Sequence, residues 1–297
     1  MRWFLLMGLV VCASLAEKGD RDNFPSAPGF AVATPAKNVS VTFFAGAAQT
    51  RQERGKQIID EALAALGGER FLAMQDRTES GRAYSFFREE LSGLSRATIY
   101  TRYLTRPTGP GTGQVYVRER QSFGKEEDRG AVLFTDGQGY QITFRGARPL
   151  PAETLERYRE TTLHNVFYIL RQRLGEPGLF FERQTSETFD NRPVEVVDII
   201  DADNRTVTVY FEQSSKLPVR QVFYRRDPKT RERIEEVAIY GKYRDVGGGV
   251  QWPYTIQRFR AGEKIFEMYA DSVSINRGLA DNLFLLPADM KILKPMR

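Results

Sequence analysis

The sequence predicts an α+β protein built on one long, curled antiparallel β-sheet with two main helices. Aromatic residues make up 12% of the 297 residues, and aromatic side chains favour strands. Strand-like runs separated by short turns follow one another along most of the chain, so consecutive strands are expected to pair antiparallel. A sheet of about eleven strands must curl strongly, which predicts a barrel or half-barrel.

Two stretches have helical periodicity. Residues 51–66 carry one apolar stripe and are followed by Gly67-Gly68. Because glycine commonly follows the last helical turn, these glycines predict the end of the helix. Residues 152–174 carry a second stripe and end at Gly175.

The strands are predicted between these helices and after them. The strongest hairpin signal is Asp136-Gly137-Gln138-Gly139, where glycine supplies the positive φ angles of a tight turn. The predicted strands are 78–87, 97–104, 114–121, 131–135, 140–144, 179–186, 193–200, 206–212, 218–226, 233–243, 250–260 and 264–275.

The N-terminus predicts export. A basic start, an apolar run over residues 3–15 and a small-residue pattern before Glu17 are typical of a signal peptide covering residues 1–16. A second signal-like segment ends at Ala48 and would give the same destination. The apolar run is too short to span a membrane comfortably, so we expect a periplasmic protein with no transmembrane segment in the mature chain.

The single cysteine is expected to leave with the signal. Cys12 follows Val11 inside the apolar run, whereas lipidation needs a small residue directly before the cysteine, so outer-membrane anchoring through Cys12 is not expected. Proline-containing residues 17–50 predict a flexible linker. No further boundary is visible, so residues 51–297 are expected to form one domain.

No motif for catalysis or metal binding is present. The sequence contains no phosphate loop, nucleophile elbow or zinc-protease motif. One histidine, His164, excludes multi-histidine metal centres; a hydrolase would have to join it to a serine and a carboxylate. The run from Asp201 has Arg205 and Thr206 where a calcium loop needs an oxygen ligand and a glycine, so it predicts a hairpin turn. We expect no enzyme, no cofactor and no metal.

Charge gives no sign of a nucleic-acid partner. The net charge is +5, and basic and acidic residues are mixed along the chain, whereas nucleic-acid binding usually needs a clustered basic surface.

Several strands are apolar on both faces. Val194 and Val196 alternate with Val197 and Ile199, although a sheet in water should show one polar face. Either helices cover the concave face, or an apolar cavity lies between sheet and helices and suits an acyl chain. The candidate lining residues of such a cavity are Tyr84, Phe86, Tyr100, Tyr116, Phe167, Leu170, Tyr210, Phe223 and Tyr254.

Six segments, in this order, resemble one known family. They are a first helix ending in ALGG at Gly68, a strand with Ser80-Gly81, the DGQG hairpin, the runs VYFEQSSKLPVR and YRDVGGGVQWPYTI, and the ending Asn276, Leu279, Phe284 and Pro287. Their order is similar to that of the LolA/LolB-like family of outer-membrane lipoprotein-sorting proteins. The segment at Glu212–Lys216 departs from the family's Asp-and-Gly turn.

The resemblance implies a LolA-like half-barrel with an apolar interior, its mouth closed by the two main helices. It further implies a carrier that binds a lipid or a lipoprotein acyl chain. The alternative is a protein-protein interaction scaffold of the cell envelope, with a closed core and no lipid cargo.

Overall fold

The computed structural model describes residues 49–107, 109, 113–124, 130–227 and 230–295. The predicted signal peptide, Cys12 and nearly all of the predicted linker lie outside these residues. The helices are α1 (Arg51–Leu66), α2 (Glu69–Leu72), α3 (Ala152–Leu163) and α4 (Val166–Tyr168), which continues as a π-helical turn at Ile169–Arg173. A 3-10 turn lies at Asp281–Phe284.

The strands form a single antiparallel sheet. Their bounds are β1 Asp76–Phe87, β2 Glu90–Tyr103, β3 Val117–Phe123, β4 Gly130–Thr135, β5 Gln138–Thr143, β6 Gly146–Pro149, β7 Phe180–Arg183, β8 Glu187–Phe189, β9 Arg192–Ile200, β10 Thr206–Glu212, β11 Pro218–Arg226, β12 Arg233–Asp245, β13 Gln251–Arg260 and β14 Glu263–Ile275. The order across the sheet is β6-β5-β4-β3-β2-β1-β14-β13-β12-β11-β10-β9-β7, with β8 paired to β9.

The predicted fold class is confirmed, with more strands than expected. The described part of the chain has fourteen strands in an open, curled sheet instead of about eleven. Two of the additional strands, β6 and β8, are only four and three residues long, too short to give a clear alternating pattern.

The first helix has the predicted bounds. The Thr50 side chain accepts the Glu53 backbone N–H, and the Glu53 side chain accepts the Thr50 N–H, which forms a capping box. Gly67 ends the helix with a φ of 119°. Gly55 allows α1 to pack close to β7. Any other residue would place a Cβ against the Phe181 carbonyl oxygen, too close for a normal contact.

The prediction of one continuous helix over residues 152–174 is wrong, because the helix is interrupted at His164 and Asn165. The Asn165 side chain accepts the Tyr168 backbone N–H at 3.1 Å and begins a new helix. The apolar periodicity continues across the break, which is why the sequence predicts one helix. Arg173 then fixes the π-helical turn through buried ion pairs with Glu176 and Asp201.

The two faces of the sheet are covered by different parts of the chain. We call the face under the helices the concave face. The opposite, convex face of β2–β6 is covered by the C-terminal segment, whose Phe284 is fully buried against Leu133 and Ile142. The Asp76 carboxylate holds this segment by accepting backbone N–H groups of residues 277–279. Both faces therefore bury apolar side chains, as the sequence pattern indicates.

Candidate functional site

One part of the concave face is completely filled. We call this the packed half: α1, α4 and the π-helical turn on strands β9–β13. The Phe167 ring lies 4.9 Å from the Tyr240 ring and 4.7 Å from the Trp252 indole, measured between centroids. Val209 and Leu170 are fully buried in the same cluster.

The nine predicted lining residues are not brought together. Phe167, Leu170 and Phe223 are buried in the packed half, and Tyr254 packs against it. On the convex face, Tyr100 packs under the C-terminal segment and Tyr210 packs against Phe189. Tyr84 and Phe86 also alternate onto the convex face, and Tyr116 lies before β3, where its backbone N–H donates to the Tyr168 hydroxyl at 2.9 Å.

The reason for this scatter is that alternation identifies two faces without saying which is concave. Both faces of this sheet are apolar because each has its own cover. An aromatic residue therefore gives no indication of the face on which it lies.

The other part of the concave face lies beside α3 and is lined by arginines. We call it the arginine half and define it by Arg157, Arg225, Arg258 and Arg260. Arg225 and Arg260 both donate from Nε to Oε1 of Glu236, at 2.8 and 2.7 Å. Burial lowers the pKa of Arg157, and the charges of Arg260 and Arg225 lower it further. These arginines therefore lie close together around one shared carboxylate.

Arg258 differs from the other three. It lies on the same face as Arg260, two residues away on β13, but it is exposed. It makes no hydrogen bond or ion pair with any residue in the described part of the chain. Its guanidinium carbon lies 5.7 Å from the Phe266 ring centroid.

Four half-buried apolar residues lie on the same face as Arg258. Phe266 is its register partner on β14, and Ile256 precedes it by two residues on β13 and also packs against the cluster of the packed half. Ile99 and Phe123 lie on β2 and β3, three and four strands away in the order of the sheet. These residues were not predicted from the sequence, although the alternation of Ile256, Arg258 and Arg260 along β13 indicates a shared face.

Two further groups at this site, the Glu119 carboxyl and the Tyr158 hydroxyl, have raised pKa values. Burial raises the pKa of the Glu119 carboxyl, although the Gln121 amide donates to it and the charges of Arg77 and Arg258 oppose the shift. Burial also raises the pKa of Tyr158 well above its usual range. The Tyr158 ring stacks on Phe134, with ring centroids 3.6 Å apart, and this contact places α3 on β4.

An open cleft of about 1260 Å³ runs between α3 and residues of β9–β12. Its lining is mostly charged. Five arginines face five carboxylates there: Arg157, Arg205, Arg225, Arg226 and Arg233 with Glu153, Glu156, Glu160, Asp198 and Asp203. Arg157 and Arg225 line this cleft and also belong to the arginine half.

His164 and Asp201 make contacts that stabilise the fold. The His164 ring stacks on Phe223 at 4.4 Å, its Nδ1 lies 2.7 Å from the Glu160 carbonyl oxygen, and burial lowers its pKa. The Asp201 carboxylate accepts backbone N–H groups of Asp203 and Arg205, forming the predicted hairpin turn. Within the described ranges no group of three or more side chains is arranged to hold a metal ion.

Several motif residues of the predicted resemblance also have structural contacts. The Tyr243 hydroxyl donates to the Pro218 carbonyl at 2.5 Å, which joins the two strand motifs. The Asn276 side chain accepts the Gln75 backbone N–H at 2.7 Å. The helices among the described residues include none that is long and apolar enough to span a membrane.

Comparison with known proteins identifies the fold. No family model and no curated protein matches the sequence. Among solved structures, a candidate outer membrane lipoprotein-sorting protein domain from Vibrio parahaemolyticus matches with a TM-score of 0.51 and 13% identity, over 78% of this chain and 97% of that domain. A DUF1329 family protein from Desulfovibrio piger matches with a TM-score of 0.51 and 11% identity, over the same shares of the two chains.

A LolA superfamily protein from Nitrosomonas europaea also matches, with a TM-score of 0.47 and 12% identity, over 78% of this chain and 97% of that one. The open curled sheet, the helices on its concave face and the likenesses to the Vibrio and Desulfovibrio structures confirm the predicted half-barrel: the chain has the fold of that outer membrane lipoprotein-sorting protein domain.

Proposed function

We propose that this chain is an exported, non-enzymatic carrier that binds a lipid or a lipoprotein acyl chain on the concave face of its sheet. The observation that carries the proposal is the arginine half, where Ile99, Phe123 and Phe266 remain half-buried and the half-buried Ile256 borders the packed half. Apolar side chains on an incompletely covered concave face suit an apolar ligand.

The hydrophobic effect supplies the affinity. Each buried methylene of an acyl chain contributes roughly 0.8 kcal/mol, so ten buried methylenes would amount to about 8 kcal/mol before the cost of immobilising the chain. The nine lining residues predicted from the sequence stay a prediction. Phe167, Leu170 and Phe223 would contact a chain only if it reached the packed half.

Native mass spectrometry tests cargo binding. The protein is purified under gentle conditions from the cells that produce it and is also incubated with oleate. The proposal predicts added mass that leaves on activation and matches a phospholipid or a fatty acid. A bare mass with no uptake of oleate would contradict it.

A matched pair of variants tests the location. Ile256 and Ile239 are half-buried isoleucines on neighbouring strands, on the concave and convex faces respectively. Ile256→Glu is expected to lower oleate affinity at least tenfold, whereas Ile239→Glu should leave it within twofold of the parent chain. Ile99→Glu gives a second concave variant if Ile256→Glu does not fold, and urea unfolding of each variant checks the fold. Equal losses for both faces would contradict the location.

The interaction scaffold is the second candidate, because the packed half is filled. Phe167 and Trp252 are both nearly fully buried there, as expected for a closed core that binds no lipid. A protein that takes up no lipid but binds an envelope protein would support this alternative. The periplasmic location is part of both proposals.

A further inference from the structure

The arginine half contains four guanidinium groups but only three carboxyl groups that interact with them, those of Glu119, Glu153 and Glu236. Two guanidinium groups, those of Arg225 and Arg260, share the single carboxylate of Glu236. The Arg157 side chain lies near both and pairs with Glu153, which is itself half exposed. Charges in partly buried surroundings are screened less than charges in water, so the excess produces a positive potential on this face.

Arg258 is the exposed member of the arginine half, so its guanidinium group is accessible to a ligand. It is exposed, on the same face, and no described residue pairs with it. Glu119 is the carboxyl across the face whose pKa responds to the charge of Arg258. Because burial raises the pKa of Glu119, its charged form is disfavoured, and it opposes an incoming anion less than an ordinary carboxylate would.

The surroundings of Arg258 are amphipathic. Its guanidinium is near Phe266, and Ile256 precedes it by two residues on the same face. A ligand that fits this arrangement has an anionic group for the guanidinium and a hydrocarbon chain for the neighbouring apolar surface. Charge-assisted hydrogen bonds from a guanidinium to a carboxylate or phosphate are about twice as strong as neutral ones.

We infer that the concave face binds an anionic amphiphile, with its carboxylate or phosphate headgroup on Arg258 and its chain on Ile99, Phe123, Ile256 and Phe266. This inference rests on the proposed function and specifies its ligand class. A neutral lipid of the same chain length would bind through the chain alone.

The test compares three ligands that share one oleoyl chain: oleate, oleoyl lysophosphatidate and neutral monoolein. Binding is measured by displacement of a fluorescent fatty acid from the parent chain and from two variants. Arg258→Gln removes the charge on the concave face. Arg82→Gln is the matched control, since Arg82 is an exposed, unpaired arginine of β1 on the convex face.

The parent chain and Arg82→Gln are expected to prefer at least one anionic ligand to monoolein by about tenfold or more. Arg258→Gln should lose most of that preference and keep its affinity for monoolein. Comparing oleate with lysophosphatidate shows whether the site prefers a carboxylate or a phosphate.

Two outcomes overturn the inference. Equal affinity of the parent chain for the charged and neutral ligands excludes a headgroup site. A preference that persists in Arg258→Gln excludes Arg258 as that site. In both cases lipid binding itself remains, so the carrier function stands; failure of all three ligands to bind would instead contradict the carrier function.

Discussion

The packed half and the arginine half lie on the same face of one sheet, yet their side chains are buried to different degrees. In the packed half, helical side chains such as Phe167 fill the space above the strands, and burial stabilises the fold. In the arginine half, α3 reaches the sheet through side chains such as Tyr158, and Phe266 and Arg258 keep access to solvent. Residues that are not committed to packing remain free to bind a ligand.

The largest expected difference is between two phenylalanines. Phe167→Ala should lower the free energy of unfolding by about 3 to 5 kcal/mol, because it leaves a cavity in a close-packed cluster. Phe266→Ala should cost about 1 kcal/mol, because its ring is only half-buried. Urea denaturation measures both. Similar losses would show that the arginine half is part of the core.

Replacing one arginine in each half provides a second comparison of stability. Arg173 is buried between Glu176 and Asp201, so Arg173→Met would leave two buried carboxylates without this partner and should cost roughly 3 kcal/mol or more. Arg258→Met should change stability by about 0.5 kcal/mol or less, because Arg258 is exposed and makes no hydrogen bond or ion pair with a described residue. Thermal unfolding of both variants beside the parent chain tests this. A large loss in Arg258→Met would mean that this arginine has a structural role.

A smaller effect concerns alkaline pH. Burial raises the pKa of Tyr168 to about 12, so the folded chain holds this proton more tightly than the unfolded chain. The resulting stabilisation is complete below pH 10, the usual pKa of tyrosine, and is lost as pH rises towards 12; two pKa units correspond to about 2.7 kcal/mol. Tyr168→Phe should therefore lose less stability than the parent chain between pH 10 and pH 12.

Urea unfolding at pH 8, 10 and 11.5 provides this measurement. Each chain is compared with its own value at pH 8, so the hydrogen bond lost with the hydroxyl cancels. Parallel losses in the two chains would contradict a raised pKa at Tyr168.

The sequence predicted the helix bounds of α1 and most strands because these depend on local signals. The Thr50–Glu53 cap, Gly67 and the turn residues act within a few positions of the chain. It did not predict the break at Asn165, since the apolar periodicity continues through it. The strands β6 and β8 were too short to detect.

The site was harder to predict because it depends on contacts between distant strands. Tyr100 and Phe123 are both aromatic residues of neighbouring strands, but only Phe123 faces the helices. The C-terminal segment that covers Tyr100 is remote in sequence, and alternation alone does not indicate it. The arginines are likewise brought together by the curl of the sheet, from β11, β13 and α3.

Photo-crosslinking of a bound fatty acid tests the central claim most directly, since it locates the chain. The protein is incubated with oleate carrying a diazirine near its methyl end, irradiated, digested and analysed by mass spectrometry, with unlabelled oleate as competitor. If the acyl chain binds to the concave face, competable adducts are expected on residues of β2, β3, β13 and β14, such as Ile99, Phe123, Ile256 and Phe266. Adducts confined to the convex face or the C-terminal segment would contradict it.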